Sequence, residues 1–328
     1  MILVTGAAGF IGAHVCAQLA SQGDAVIGCD NFNDYYDPGY KRSRVRHLLT
    51  PARVECEVVD IAEESALDAL FTAYPIKRVV HLAAQAGVRA SLTQPQRYVH
   101  SNLVGFANIL ECCRRHRIDH LVYASSSSVY GRRNDPPFRE DDATDQPASF
   151  YAATKRANEL MAHAYAETHG LVATGLRFFT VYGPWGRPDM AYFSFTQKIR
   201  AGEPIPVFEE GRLQRDFTYV DDIVQAVVKL LFKPPAASGG AAPHQVFNIG
   251  NHTPVEVLEF IRVLEGALKQ KATIQFQPAQ PGDVPLTAAD THRLHEWIGF
   301  EPNTPLEQGL SRFVAWYDAW RSAQNVFQ

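Results

Sequence analysis

Several features that mark other classes of protein are missing from this chain. No apolar run reaches the ~18 residues needed to span a bilayer, the five cysteines include no Cys-x-x-Cys pair, and the 12 histidines lack the spacing of metal ligands. The net charge is −4, and the lysines and arginines are scattered along the chain. We therefore expect no membrane span, no metal site, no nucleic-acid partner and no disulfide framework.

The composition is that of a globular protein with a substantial core. The chain has 328 residues, of which 46% are hydrophobic, enough for one large or two modest domains. The first strand is predicted to begin at residue 2, which leaves no room for a signal peptide. We therefore expect a cytoplasmic protein with reduced thiols.

Strand-like and helix-like segments alternate through the first half of the chain. Apolar runs typical of buried strands occupy residues 2–5, 25–29, 54–59, 78–82, 120–124 and 173–178. The longest helical stretches between them are 101–116 and 151–169. This order predicts an α/β fold, a Rossmann-like doubly wound parallel sheet.

The second half is less regular and predicts a smaller C-terminal α/β lobe. Helices are expected at 220–232, 254–268 and 306–323, and a strand at 273–277. Two polar stretches, 37–46 and 132–147, are predicted to be loops, and 234–243 a linker.

Three glycines follow the first strand immediately. Gly6, Gly9 and Gly12 allow a sharp turn, close approach of a pyrophosphate, and tight packing of the next helix on the strand. The N-terminus of that helix then offers N–H groups to phosphates. Asp30 ends the second strand, where it can accept hydrogen bonds from both ribose hydroxyls. Because its charge repels a 2′-phosphate, the pattern favours NAD over NADP.

A second motif points to catalysis. Tyr151 and Lys155 are four residues apart, so on a helix both side chains lie on one face. A nearby ammonium, together with a charged nicotinamide ring, is expected to bring the tyrosine pKa, ~10 when unperturbed, toward neutrality for a general base. Ser126 follows the fifth strand, at the end where such sheets bind ligands. These three residues form the predicted catalytic set.

In this order the motifs resemble those of the extended short-chain dehydrogenase/reductase family, and the resemblance runs through the whole chain. It implies an NAD-binding Rossmann domain over 1–178, to which 217–250 return, a UDP-sugar-binding lobe over 179–328, and a homodimer formed through the helices near 101–116 and 151–169. The cofactor contacts assigned by motif and resemblance are Gly6, Gly9, Phe10, Ile11, Gly12, Asp30, Asn31, Asp60, Ile61, Leu82, Ala83, Ala84, Gln85, Asn102, Tyr151, Lys155 and Phe178.

The residues after Ser126 separate branches of this family. Sugar-nucleotide 4,6-dehydratases carry an Asp-Glu pair there and UDP-glucuronate decarboxylases a glutamate, whereas this chain has Ser127 and Ser128. No carboxylate is available to eliminate water, and 4-epimerisation needs none. Segments 30–36, 84–89, 177–190 and 214–222 are very similar to UDP-glucuronate 4-epimerases. The resemblance therefore implies interconversion of UDP-glucuronate and UDP-galacturonate through a 4-keto sugar.

The sugar carboxylate of such a substrate needs a cation or several hydroxyl and N–H donors. Arg187 with Ser127, Ser128 and Thr180 fits this need, although Arg187 can also be read as a structural arginine in a Gly-Arg-Pro turn. By resemblance, the other substrate contacts are Arg215 at the UDP pyrophosphate, Val207 and Phe208 at the uracil, Asp283 at the uridine ribose, and Ser126 and Tyr151 at the sugar.

Two alternative functions remain open at this point. One is 4-epimerisation of a neutral UDP-hexose or UDP-N-acetylhexosamine, which the relative turnover of UDP-glucuronate and UDP-glucose distinguishes. The other is a non-catalytic NAD-binding scaffold. The intact set of Ser126, Tyr151 and Lys155 argues against the scaffold.

Overall fold

The computed structural model of the chain describes residues 1–133, 135–237, 240–278 and 284–325. The strands in these ranges are β1 (Ile2–Thr5), β2 (Val26–Asp30), β3 (Glu55–Val58), β4 (Arg78–His81), β5 (His120–Ser126), β6 (Ala173–Phe178), β7 (Thr180–Tyr182), β8 (Ile205–Phe208), β9 (Gln214–Tyr219), β10 (His244–Ile249), β11 (Pro254–Glu256) and β12 (Ile274–Gln277).

The helices are α1 (Phe10–Ser21), α2 (Pro38–Arg44), α3 (Glu64–Ala73), α4 (Ala90–Thr93), α5 (Pro95–Tyr98), α6 (Gly105–Arg115), α7 (Phe150–His169), α8 (Ala191–Ala201), α9 (Val220–Leu231), α10 (Val257–Leu268), α11 (His292–Ile298) and α12 (Leu306–Asn325). Two π-helical turns, Val45–Leu49 and Val99–Val104, continue α2 and lead into α6. No helix in the described ranges has the length and apolarity to cross a membrane.

Seven strands form one parallel sheet, in the order β10-β6-β5-β4-β1-β2-β3. Every neighbouring pair in this sheet is parallel. The order reverses between β1 and β4, so the loops that leave the carboxyl ends of these two strands diverge and open a crevice. The predicted Rossmann-like doubly wound sheet is confirmed.

The inner strands β1, β4, β5 and β6 are buried on both faces, which explains why they read as continuous apolar runs, whereas the edge strand β3 is partly exposed. Successive side chains on a strand point to opposite faces, and in β4 the fully buried Val79 and Val80 belong to two different apolar clusters. Helices α3, α6 and α7 cover one face, and α1 and α9 cover the other.

The smaller lobe has two short sheets of its own. Strands β11, β9 and β7 form one, and β12 and β8 form the other. Helix α10 packs against both α8 and α12. Between these elements the chain returns to the large sheet, since β10 pairs with β6 and α9 packs on α1. This return supports the predicted domain division, which stays a prediction.

The strands predicted from apolar runs are found, with changes only at their ends. Helix α7 confirms the predicted helix at 151–169, and local signals fix its limits. The Ser149 hydroxyl accepts a hydrogen bond from the Ala152 N–H at 3.1 Å, which caps the first turn. Gly170, with φ +66°, ends the helix in the left-handed conformation.

Two predictions of local structure are wrong. Residues 37–46 were expected to be a loop, but α2 and a π-helical turn occupy most of this stretch. The Asp37 carboxylate caps α2 by accepting from the Gly39 N–H at 2.8 Å, and Pro38 takes the first helical position. Residues 254–256 were expected to begin a helix, but they form β11, which pairs antiparallel with β9 at the edge of its sheet.

Candidate active site

A pocket lies at the carboxyl ends of β1, β2, β4, β5 and β6, and it reaches the segment 187–190. It brings together predicted residues that are far apart in the sequence. Those that line it are Gly6, Gly9, Phe10, Ile11, Gly12, Asp30, Asn31, Ile61, Leu82, Ala83, Ala84, Gln85, Ser126, Tyr151, Lys155, Phe178 and Arg187. The predicted cofactor contacts and the predicted catalytic residues therefore line one cavity.

The glycine turn has the close contacts that the motif predicts. Gly6 has φ +70°, and a Cβ on Gly12 would lie 2.1 Å from the Gly6 carbonyl oxygen. Helix α1 begins at Phe10 and directs its first N–H groups at the pocket. Side chains at Gly6 and Gly12 would collide with backbone atoms, so the glycines allow the turn to bring the N-terminus of α1 to the pocket. The N–H groups there fit the pyrophosphate of a dinucleotide.

Asp30 ends β2 in the position expected for a ribose ligand. Its two carboxylate oxygens accept from the Ala8 N–H at 3.2 Å and the Phe32 N–H at 2.8 Å. Burial raises the pKa of Asp30, and the charge of Lys41 opposes that rise. The Lys41 side chain lines the same end of the pocket and donates to Asn33 Oδ1 at 2.7 Å. Sequence analysis missed Lys41 because it treated α2 as a loop.

Two predicted cofactor contacts lie behind the pocket wall. Asn102 exchanges hydrogen bonds with the backbone of Gln85, at 2.8 and 3.1 Å, and donates to Thr154 on α7 at 3.0 Å. Asp60 accepts from Asn31 Nδ2 at 3.0 Å. Neither lines the pocket. They hold Gln85 and Asn31, which do line it, and direct contact of Asn102 and Asp60 with the cofactor stays a prediction.

The predicted catalytic side chains converge where β5 meets α7. Lys155 is buried and donates from Nζ to the Ala124 carbonyl oxygen at 2.9 Å. Burial lowers the pKa of Lys155 to about 8. Burial also raises the pKa of Tyr151, while the hydroxyl of Ser126 and the charge of Arg187 oppose the rise. The expected fall of the tyrosine pKa toward neutrality depends also on the charge of a bound nicotinamide ring, and it stays a prediction.

The end of β5 is held against α7 by a buried ion pair that sequence analysis missed. Glu159, one turn after Lys155, accepts from Ser125 Oγ at 2.6 Å and pairs with Arg177 at 2.8 and 2.9 Å. Glu159 and Arg177 are almost completely buried. This pair links β5, β6 and α7, which fixes Ser126 relative to the helix that carries Tyr151.

Arg187 lines the pocket near Tyr151, and it is also paired within its own turn. Its Nε and Nη2 atoms donate to the two carboxylate oxygens of Asp189 at 3.0 and 2.6 Å. The guanidinium lies 5.9 Å from the centre of the Tyr35 ring. Both readings of this arginine therefore have structural support: it shapes a turn, and it presents a cation to the cavity.

The turn that carries Arg187 is tied to the glycine turn by Arg44, a completely buried residue that sequence analysis missed. Arg44 donates to the carbonyl oxygens of Trp185 at 2.7 Å, Gly186 at 3.0 Å and Ala8 at 3.0 Å. It also donates to the Tyr36 hydroxyl at 2.5 Å. One guanidinium thus connects the glycine turn with the turn that carries Arg187.

Several other predicted substrate contacts lie outside the lining of the pocket. The Ser126 hydroxyl donates to the Ser128 hydroxyl at 3.1 Å, and Ser127, Ser128 and Thr180 are half-buried outside the pocket lining. The Arg89 guanidinium lies 5.0 Å from the centre of the Phe208 ring.

The side chain of Val207 is buried in the core, so a contact with the uracil, which stays a prediction, would be made by its backbone. Arg215 donates to the Gln214 carbonyl oxygen at 2.8 Å. Asp283 lies outside the described residues. Among those that are described, no group of three or more His, Cys, Asp or Glu side chains is placed to hold a metal ion.

Comparison with known proteins places most of the chain in one family. Residues 2–250 match the NAD dependent epimerase/dehydratase family. UDP-glucuronate 4-epimerase 2 of Arabidopsis thaliana is 50% identical over 96% of this chain and 75% of its own length. The crystal structure of UDP-glucuronic acid 4-epimerase from Bacillus cereus, in complex with UDP-glucuronic acid and NAD, has a TM-score of 0.89 at 32% identity, covering 97% of this chain and 99% of that one.

UDP-glucose 4-epimerase from Thermotoga maritima, solved with UDP-glucose, is similar in fold as well. Its TM-score is 0.87 at 29% identity, with 98% of this chain and 99% of that one covered. The fold is therefore common to epimerases of charged and neutral sugars. Together with the glycine turn and the Ser126, Tyr151 and Lys155 set, the match over residues 2–250 shows that this chain belongs to the NAD-dependent epimerase/dehydratase family.

Proposed function

We propose that the chain is an NAD-dependent 4-epimerase that interconverts UDP-glucuronate and UDP-galacturonate. The observation that carries the choice of substrate is Arg187, a guanidinium in the pocket wall near Tyr151. A carboxylate on the hexose would meet this cation. The 50% identity with UDP-glucuronate 4-epimerase 2 of Arabidopsis thaliana, over 96% of the chain, supports the same choice.

Three side chains carry the proton chemistry. The glycine turn and Asp30 would hold NAD, which would supply the hydride acceptor and donor for C4 of the sugar. Tyr151 removes the proton of the 4-hydroxyl group, and Ser126, which contacts Tyr151, orders this transfer. Lys155 is held by the Ala124 carbonyl oxygen and keeps a positive charge on the same face of α7. After the 4-keto sugar turns to present its other face, Tyr151 gives the proton back.

Arg187 has a second task in this reaction, which is to prevent loss of carbon dioxide. The 4-keto form of a hexuronate is a β-keto acid, and it loses carbon dioxide most easily when the breaking bond overlaps the ketone. A carboxylate held in the plane of the ring carbons lacks that overlap. We propose that Arg187 holds it so, with help from Ser127, Ser128 and Thr180.

The competing function is 4-epimerisation of a neutral UDP-hexose, and substrate competition separates the two. We expect UDP-glucuronate to be converted with a kcat/KM at least ~10-fold above that of UDP-glucose, because one charge-assisted contact is worth ~1.5–3 kcal/mol. The purified protein should also release NAD on denaturation. A preference for UDP-glucose would overturn the substrate assignment, and recovery of NADP would overturn the role of Asp30.

We also propose a homodimer formed through α6, α7 and the π-helical turn before α6. This surface exposes Leu160 and Val104, with 54% and 44% of their surface accessible, and buried apolar contacts stabilise such interfaces. Leu160→Glu is expected to convert the dimer to a monomer in light scattering. Phe276→Glu changes a similarly exposed residue on β12 and serves as the control. A parent protein that is monomeric would contradict the proposal.

A cytoplasmic location is proposed as well. All five cysteines are free thiols, which suits a reducing compartment. Cell fractionation tests it, and recovery of the protein with exported material would contradict it.

A further inference from the structure

Asp189 binds two side chains that line the pocket, Arg187 and Tyr35. Both of its oxygens bind Arg187, at 3.0 and 2.6 Å, and the second also accepts from the Tyr35 hydroxyl at 3.1 Å. Two distant segments therefore meet at this carboxylate: the loop after β2 and the turn before α8. Neither Arg187 nor Asp189 is widely exposed, with 23% and 33% of their side-chain surfaces accessible.

The position of Tyr35 is fixed by the backbone next to it. A Cβ on Gly87 would lie 2.2 Å from the Tyr35 hydroxyl oxygen, so this hydroxyl is packed directly against the loop after β4. Asp189 consequently has one neutral donor, closely packed against the backbone, and one cation. Burial works to raise the pKa of Asp189, but the charge of Arg187 and the Tyr35 hydroxyl hold it below its usual value. Asp189 is therefore an anion at neutral pH.

The ion pair with Asp189 leaves one edge of the Arg187 guanidinium able to bind another partner. The bonds to Asp189 use Nε and one N–H of Nη2. A guanidinium has five N–H donors in a planar fork, so the edge between Nη1 and Nη2 keeps the geometry for a second carboxylate. Asp189 thus orients the cation without using the edge that a hexuronate would bind.

The charge of Arg187 also acts on Tyr151, which lines the same pocket. Ser126 from β5, Lys155 from its own helix, Arg187 and Tyr35 line the same pocket as Tyr151. The ring centre of Tyr98 from α5 lies 6.1 Å from that of Tyr151, and Asp189 is bound to Arg187 and Tyr35. Arg187 favours the phenolate form of Tyr151. A carboxylate bound to that same guanidinium opposes the effect, because opposite charges so close together largely cancel at a distance.

We propose that Asp189 is a positioning residue, the fixed counter-ion that aligns Arg187 and limits the positive charge acting on the catalytic tyrosine. It acts through Arg187 and touches neither the sugar nor the cofactor in this role. The inference rests on the proposed function in one respect, since it takes Tyr151 as the proton acceptor and Arg187 as the carboxylate ligand.

The test removes each charge of the pair in turn. In the purified enzyme with its own cofactor, Asp189→Asn leaves Arg187 uncompensated, so the phenolate forms more easily and the rising limb of the pH–rate profile moves to lower pH by about 0.5–1 unit. Arg187→Gln leaves Asp189 uncompensated and moves the limb to higher pH. The double variant restores the neutral pair and returns the limb close to its parent position.

A second readout does not depend on turnover of UDP-glucuronate. Ultraviolet titration of phenolate, corrected with the same titration of Tyr151→Phe, follows ionisation of Tyr151 directly, and it is expected to shift in the same directions. Opposite shifts in the two single variants support the counter-ion role even if another sugar proves to be the substrate. If the titration of Tyr151 is unchanged in Asp189→Asn, the counter-ion role is wrong, whichever sugar is converted.

Tyr35→Phe provides the matched variant for this cluster. It removes the hydrogen bond to Asp189 and changes no charge, so the titration of Tyr151 should stay within about 0.3 unit of the parent value. A shift as large as that of Asp189→Asn would show that packing, and not charge, controls the tyrosine, and would overturn the proposal.

Discussion

Tyr151→Phe is expected to lower kcat by ~10²–10⁴-fold while leaving the binding of UDP-glucuronate nearly unchanged. The substitution removes the phenolic oxygen that accepts the 4-hydroxyl proton and keeps the ring. That ring packs edge-on against Tyr98, with centres 6.1 Å apart, so the wall of the pocket is preserved. Steady-state kinetics and direct titration with UDP-glucuronate separate the effect on chemistry from the effect on binding.

The control for this variant lies on the same helix. Tyr165 is also on α7, and its hydroxyl donates to Glu111 at 3.3 Å, away from the pocket. Tyr165→Phe is expected to keep the parent rate. A Tyr151→Phe enzyme that works within about threefold of the parent rate would remove Tyr151 from the mechanism.

Arg187→Ala is expected to weaken UDP-glucuronate binding by roughly 10–150-fold, the equivalent of the ~1.5–3 kcal/mol that a charge-assisted contact provides. The products should change as well. A carboxylate that can rotate out of the ring plane leaves the 4-keto sugar as carbon dioxide, so UDP-4-ketopentose, with NADH retained on the enzyme, should increase relative to the epimer. Chromatography of the nucleotide sugars and absorbance of the reduced cofactor measure both.

Arg133 offers a matched control, since it forms the same kind of local pair outside the pocket. Its Nε and Nη2 atoms bind Asp135, two residues ahead, at 3.0 and 2.6 Å. Arg133→Ala breaks this pair without altering the pocket lining and should leave binding and products unchanged. If Arg187→Ala binds UDP-glucuronate as tightly as the parent and forms no UDP-4-ketopentose, Arg187 is only a turn residue.

The sheet and its ligand-binding end could be predicted from sequence because their signals are local. Apolar runs marked the buried strands, and Gly6 and Gly12 revealed a turn that tolerates no side chain. The capping signal of α2 was equally local, in Asp37 and Pro38, and was overlooked because the stretch is polar. That oversight also hid Lys41 and Arg44, which belong to this helix.

Other features depend on contacts that no local pattern contains. Arg44 reaches backbone oxygens at Trp185 and Gly186, more than a hundred residues along the chain, and only the packed fold brings them together. Val207 is a second example: its position in the motif suggests a ligand contact, and alternation along β8 turns its side chain into the core. Which side chains of a motif face the pocket is decided by tertiary packing.

The most direct measurement follows the hydrogen at C4 when the purified enzyme converts UDP-glucuronate in D₂O with no NAD added. Hydride that leaves C4 and returns to it never exchanges with solvent, whereas a proton removed from carbon does. We predict UDP-galacturonate with protium at C4 and no deuterium on any ring carbon, by NMR and mass spectrometry. Deuterium on a ring carbon, or no product unless NAD is supplied, would contradict epimerisation through a resident cofactor.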